Sequence, residues 1–213
     1  MVEWSLRAFA SVDAVAAAVI AAPPDEHDRF VALAAAIGSL DTRVVEGGPA
    51  RSESVAAALA AVEPDAGVVA VHDAARPLVT PQLIGELIDM LRERPDAAGV
   101  IAATAITDTV KRAREPRPAR GEIARGGPTV AKTESRDHLW SAQTPQVFRA
   151  AALREALAAS PQRVAEATDE AWLVEKDGGK VLIHPAPAEN LKVTTSFDVR
   201  VAELLLAERE GAG

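Results

Sequence analysis

Short apolar runs set between helix-patterned segments constrain this chain more than any other feature. Residues 15–22 and 67–71 are runs of small and β-branched side chains; the first ends at Pro23-Pro24 and the second at His72. Continuous apolar runs of this length suit strands buried on both faces of a parallel sheet. Between them, residues 25–37 carry Phe30, Leu33 and Ile37 at helical spacing and stop at Gly38. Residues 42–45 form a short β-branched stretch closed by Gly47-Gly48, and residues 52–62 read as a helix. Thr80-Pro81 is a helix start, a capping hydroxyl followed by proline at the first helical position. That helix runs to residue 92 and the next strand occupies 97–103. Strands separated in this way predict βαβ units and a largely parallel sheet, an α/β fold.

The pattern changes over residues 104–148. Alternation at 106–110, a Pro/Arg/Gly-rich stretch at 114–128 and a second extended run at 129–132 predict a projecting β-arm with a loose tip. The arm carries Arg112, Arg114, Arg117, Arg120 and Arg125, with Pro116 and Pro118 near its end. An isolated two-stranded ribbon is marginal in water, so such an arm predicts a partner that orders its base and leaves its tip mobile. Helices at 150–159 and 169–176, a strand at 180–184 and a helix from Ser196 complete the reading. Residues 1–9 form a further amphipathic helix, with Val2, Leu6 and Phe9 on one face. The whole, 1–213, reads as a single domain without internal repeats.

Composition narrows the function. A net charge of −8 argues against a general nucleic-acid binder, which needs a basic surface. Phosphorylated small molecules stay open, because a few positioned Arg and Lys side chains suffice locally. There is no cysteine, which rules out disulfides, thiolate nucleophiles and Cys-ligated metals. No stretch has the ~20 uninterrupted apolar residues of a membrane span. No signal-peptide pattern opens the chain, so a cytoplasmic enzyme is expected.

Several clusters carry chemistry. In Gly47-Gly48-Pro49-Ala50-Arg51-Ser52-Glu53-Ser54, two glycines let backbone approach a ligand, ahead of a helix N-terminus. A plain turn with serine caps explains that cluster equally well. His72-Asp73-Ala74-Ala75-Arg76-Pro77 leaves the carboxyl end of a buried strand, where open α/β sheets gather ligands. Asp73 suits a cation or hydroxyl and Arg76 an oxyanion; a local Asp–Arg pair closing the loop is the plainer alternative. Thr107-Asp108-Thr109-Val110-Lys111, Ser135-Arg136, Gln143-Thr144-Pro145-Gln146, Thr168-Asp169-Glu170 and Asn190-Leu191-Lys192-Val193-Thr194 complete the set. Singly, each has an ordinary reading: Thr168 as a helix cap, Lys111 and Arg136 as solvated charges, Asn190 as a turn former.

In this order and spacing, the clusters resemble the 2-C-methyl-D-erythritol 4-phosphate cytidylyltransferases over essentially the whole chain. His-Asp-Ala-Ala-Arg-Pro and Trp-x-x-Gln-Thr-Pro-Gln-x-Phe are the most specific parts. The resemblance implies a Rossmann-like three-layer α/β sandwich and a homodimer built through interlocking β-arms. It also implies transfer of CMP from CTP to the sugar phosphate, with Mg²⁺ and release of pyrophosphate, in the non-mevalonate route to isoprenoids. Matched motif by motif, Gly48 and Ser54 would hold cytosine, and Asp73 would lie where ribose, metal and acceptor meet. Arg76, Thr109, Arg136 and Thr144 would grip the acceptor, some of them across the dimer. Arg136 and Lys192 would place its phosphate for attack.

Two departures stand out. Many relatives have an acid after the second glycine, where this chain has Pro49, so the resemblance does not carry over one base-recognition contact. The family also opens with a strand, a Gly-x-Gly-x-Arg loop and a Pro-Lys-Gln segment that cradle the triphosphate, and none of these is in the sequence. The expectation is therefore that the first strand of the sheet is missing, that Met1 is an internal methionine, and that these 213 residues alone turn over little or no substrate. A pentitol-phosphate cytidylyltransferase acting on ribitol 5-phosphate is the nearest rival, and Ala74-Ala75 before Arg76 speaks against it. A non-catalytic dimeric binding protein is the rival from another class.

Overall fold

The computed structural model describes residues 1–114 and 128–211. The predicted arm tip, with Pro116, Arg117, Pro118, Arg120 and Arg125, lies outside the described residues. The chain opens with α1 (Val2–Ala10), β1 (Ala17–Ala22), a 3₁₀ turn (Pro24–Glu26), α2 (His27–Ile37) and β2 (Asp41–Glu46). It continues through α3 (Arg51–Ala60), β3 (Val68–Val71), α4 (Pro81–Glu93) and β4 (Gly99–Ala105). The arm strands β5 (Lys111–Arg114) and β6 (Thr129–Thr133) precede the long β7 (Trp140–Arg149). Helices α5 (Ala150–Leu157), α6 (Pro161–Glu166) and α7 (Glu170–Lys176), strand β8 (Val181–Pro185) and α8 (Ser196–Gly211) complete the order.

The central sheet runs β3-β7-β4-β8, and its two faces bury different helices. Strand period places Val100 and Ala102 of β4, with Val147 of β7, against Leu83, Ile84, Leu87, Ile88 and Leu91 of α4. Those five residues form one helical stripe, and each fully buried Leu or Ile contributes roughly 1.5–3 kcal/mol. On the other face, Ile101 and Phe148 meet Leu153 and Ala156 of α5 and Leu173 and Val174 of α7. This is a three-layer α/β sandwich. Thr80 caps α4 by accepting a hydrogen bond from Leu83 N at 3.2 Å, with Pro81 at the first helical position.

The largely parallel sheet expected from sequence is corrected. Strand β7 runs antiparallel to both β3 and β4, and only the β4–β8 pair of this sheet is parallel. Pro145 hid β7, because proline argues against an inner strand. The structure accommodates it in a bulge. Ile101 pairs with Gln146 and Ala103 with Ala142, so Gln143, Thr144 and Pro145 stand opposite Ala102 alone. The Thr144–Pro145 peptide is cis.

Strands β1 and β2 pair in parallel as a two-stranded sheet separate from β3-β7-β4-β8. The first arm strand is also corrected: it starts at Lys111, whereas the alternation at 106–110 suggested an earlier ladder. Residues 106–110 sit outside any strand. Every residue of β5 and β6 is exposed.

Candidate active site

Three loops and two helix starts meet at the carboxyl end of β3. The chain leaves β3 through His72 and Asp73 and turns back at Arg76, whose N–H donates to Asp73 O at 2.9 Å. The bulge of β7 brings Thr144 alongside: its hydroxyl accepts from Asp73 N–H at 2.9 Å. The loop after β8 joins from below, with Val193 N–H donating to Ala75 O at 2.8 Å and Arg76 Nη1 donating to Asn190 O at 2.8 Å. Asn190, which is 1% exposed, clamps the bulge by donating to Gln143 Oε1 at 2.8 Å and Thr144 O at 2.9 Å. These bonds turn three sequence-distant motifs into one rigid wall.

The wall lines a cleft of about 270 Å³ that includes Asp73, Arg76, Thr144, Thr168 and Lys192. Asp73 is its electrostatic centre. Lys192 Nζ lies 3.1 Å from Asp73 Oδ2, Arg51 Nε donates to Oδ1 at 3.3 Å, and Arg76 Nε is 3.8 Å away. Burial raises the Asp73 carboxyl, but the Lys192 hydrogen bond and the Arg51 charge outweigh it and hold the group below its ordinary value. Burial lowers Arg76, with Asp73 opposing, and a guanidinium stays charged in any case. Arg76 Nε is buried without a hydrogen-bond partner among the described residues. Cations converging on one carboxylate can hold a phosphate while the carboxylate takes hydroxyls or a cation.

Arg51 belongs to the Gly-Gly motif and stands at the start of α3. It spans two carboxylates: besides Asp73, it donates to both oxygens of Glu170 at 2.7 and 2.8 Å. Burial pushes the Glu170 carboxyl up, with Arg51 opposing. Burial also works against the Arg51 charge, but Glu170 and then Asp73 more than restore it and leave its pKa raised. The helix cap at α7 is corrected too. Asp169, not Thr168, accepts from Trp172 N–H at 2.9 Å, which leaves Thr168 on the cleft wall. Gln146 holds Asp169 in place, donating to Oδ2 at 2.8 Å. A Thr-Asp pair before a helix offers two capping residues, and sequence alone does not choose between them.

The remaining sequence-derived residues lie apart. Gly48 and Ser54 shape the β2–α3 loop: the Ser54 hydroxyl faces Gly48 O and Ala50 O, each at 3.2 Å. A Cβ on Gly48 would stand 2.4 Å from Glu53 Cβ, so only glycine lets the loop lie on the first turn of α3. Thr109 and Arg136 are exposed on the arm and do not line this cleft.

Comparison with known proteins decides the family. A family model described as 2-C-methyl-D-erythritol 4-phosphate cytidylyltransferase matches residues 1–208. The chain belongs to this family. It is 39% identical to the cytidylyltransferase of that name from Acidobacterium capsulatum, over 96% of this chain and 82% of the relative. It is 43% identical to the bifunctional enzyme IspD/IspF of Anaeromyxobacter dehalogenans, of whose length it spans 49%. The crystal structure of 4-diphosphocytidyl-2C-methyl-D-erythritol synthase from Anaerococcus prevotii superposes with a TM-score of 0.81 at 25% identity, covering 97% of this chain and 88% of that one. Within this cytidylyltransferase family member, the cleft at Asp73 lies where β3, the β7 bulge and the loop after β8 converge.

Proposed function

We propose that this chain is a cytidylyltransferase subunit that binds 2-C-methyl-D-erythritol 4-phosphate at the Asp73 cleft and directs its phosphate toward CTP. The observation that carries the reading is the placement of Lys192 and Arg76 around Asp73 in a chain of this family. In the reaction, a phosphate oxygen of the acceptor forms a bond to the α-phosphorus of CTP. The bond to the bridging oxygen breaks and pyrophosphate leaves, so the protein chiefly positions two polyanions and offsets their charge. Lys192 and Arg76 would hold the acceptor, Thr144 would fix the cleft wall, and Gly48 and Ser54 would form the cytosine side.

Mg²⁺ fits this donor set in one mode. Among the described residues no group of three or more His, Asp or Glu side chains could cage a metal. Mg²⁺ is commonly held by one or two carboxylates together with substrate phosphates, and Asp73 is the carboxylate placed for that. When bound, the ion would neutralise charge on the phosphates.

We further propose a homodimer, with Thr109 and Arg136 reaching a partner's cleft. The exposed β5–β6 ribbon supports this, because it buries no apolar face of its own. A cytoplasmic location follows from the substrates; no helix among the described residues is long and apolar enough to cross a membrane.

Calorimetric titration tests the reading. The chain should bind 2-C-methyl-D-erythritol 4-phosphate at least about tenfold more tightly than ribitol 5-phosphate, a difference of about 1.4 kcal/mol. Equal affinity would favour a pentitol-phosphate enzyme, and absence of binding to either would reject the cleft as an acceptor site.

A further inference from the structure

His72 precedes Asp73 in the motif and does not line the cleft. Its ring is fixed at both nitrogens. Nε2 lies 3.1 Å from Arg76 O, and Nδ1 lies 3.2 Å from the Thr144 hydroxyl. A carbonyl only accepts, so Nε2 carries the proton. In a neutral ring Nδ1 is then an acceptor, and the Thr144 hydroxyl must donate to it. The same hydroxyl oxygen accepts from Asp73 N–H at 2.9 Å. The bonds therefore run in one direction: Asp73 N–H to Thr144 Oγ1, Thr144 O–H to His72 Nδ1, His72 Nε2–H to Arg76 O. Phe9 of α1 closes the ring's edge, with centroids 5.3 Å apart.

We propose that His72 is a positioning residue for the acceptor site, its Nδ1 orienting the Thr144 hydroxyl so that this hydroxyl pins the Asp73 backbone. The inference rests on the acceptor reading of the cleft. Thr144 is only 3% exposed and its hydroxyl proton is committed to His72, so Thr144 serves the site mainly through Asp73. The lock spans both ends of the His72–Arg76 loop. It fixes the carboxylate and the guanidinium relative to each other before any ligand arrives, which is the preorganisation that a two-anion site needs.

Two variants separate the two bonds. His72→Asn puts Oδ1 where Nδ1 was and keeps the acceptor for Thr144. His72→Gln reaches Arg76 O with its amide donor and loses that acceptor. Calorimetry with 2-C-methyl-D-erythritol 4-phosphate should show H72N within about threefold of wild type and H72Q weakened at least about tenfold. Amide hydrogen exchange at Asp73 should quicken by about tenfold in H72Q and much less in H72N. A merely structural histidine would lower the Tm of both variants without separating them in either readout. Equal affinities together with equal Asp73 exchange would overturn the proposal, as would a long-range ¹H–¹⁵N spectrum of wild type placing the proton on Nδ1. If wild type ignores the sugar phosphate while H72Q alone loosens Asp73, the acceptor reading fails and the lock stands.

Discussion

Lys192 Nζ lies 3.1 Å from Asp73 Oδ2, joining the loop after β8 to the loop after β3. The contact makes the two loops one charged surface. Lys192 is 44% exposed at its side chain, so it is free to exchange Asp73 for an arriving phosphate. Lys192→Ala should weaken 2-C-methyl-D-erythritol 4-phosphate binding by about 10–100-fold, the worth of a charge-assisted hydrogen bond. Thermal stability should change little, because exposed ion pairs contribute little. Calorimetry and a melting curve on the same sample check both parts.

Arg51 pairs with the most buried carboxylate of the site, Glu170, whose side chain is 2% exposed. Arg51→Ala would strand that carboxylate. Removing one partner of a buried pair costs about 3–5 kcal/mol, and the half-exposed Arg51 reduces the figure to about 1–3 kcal/mol. Urea unfolding should show this loss, and most of it should vanish in the Glu170→Gln background. An undiminished loss there would mean that Arg51 acts through Asp73 instead.

The His72 pKa is lowered to about 4, mainly by burial with the Arg76 charge adding, while the Arg76 carbonyl and the Asp73 carboxylate oppose. The unfolded chain takes up this proton near the ordinary imidazole value of 6.5, and the folded chain refuses it until about 4. His72 is therefore no burden above pH 6.5, and its contribution to stability is lost as pH falls from 6.5 toward 4. The gap corresponds to about 3 kcal/mol at most. Unfolding of wild type and H72N at pH 7.5 and 4.5 isolates it: wild type should lose more than the variant between the two conditions. Parallel losses would assign the acid sensitivity to carboxylates elsewhere.

The arm gives a test between chains. If Arg136 serves a partner's cleft, Arg136→Ala and Lys192→Ala, each made in the protein translated with any in-frame sequence upstream of Met1, should each turn over poorly. Mixing them under conditions of subunit exchange should recover part of the activity, because some hybrid dimers carry one intact composite site. No recovery despite demonstrated exchange would place Arg136 and Lys192 in the same chain's site.

Strands and helices were legible wherever apolar period and punctuation agreed. Thr80-Pro81 marked α4, and Gly38 ended α2 with a positive φ of 62°. The misses share a cause. Strand β7 contains Pro145, and its pairing depends on a bulge opposite Ala102 that only tertiary contacts reveal. Gly99 is of the same kind. A Cβ there would stand 2.4 Å from the ring of Phe148, its neighbour across the ladder, so the glycine answers to a residue far along the chain. In the site, Asp73, Arg76 and Lys192 were readable because their motifs are local. Arg51 was not, because its importance comes from Glu170 on another helix. His72 escaped notice because its role is set by Thr144 on the bulge.

The central claim is that the Asp73 cleft serves CMP transfer to a methylerythritol phosphate. The direct measurement is product formation by the protein translated with any in-frame sequence upstream of Met1, supplied with CTP and Mg²⁺. With 2-C-methyl-D-erythritol 4-phosphate, pyrophosphate and the cytidine diphosphate adduct should appear in equal amounts. Asp73→Asn and Lys192→Ala should each lower the rate by about 10²-fold or more. Ribitol 5-phosphate should give little product. Pyrophosphate release that is indifferent to the acceptor, or unchanged in both variants, would contradict the account.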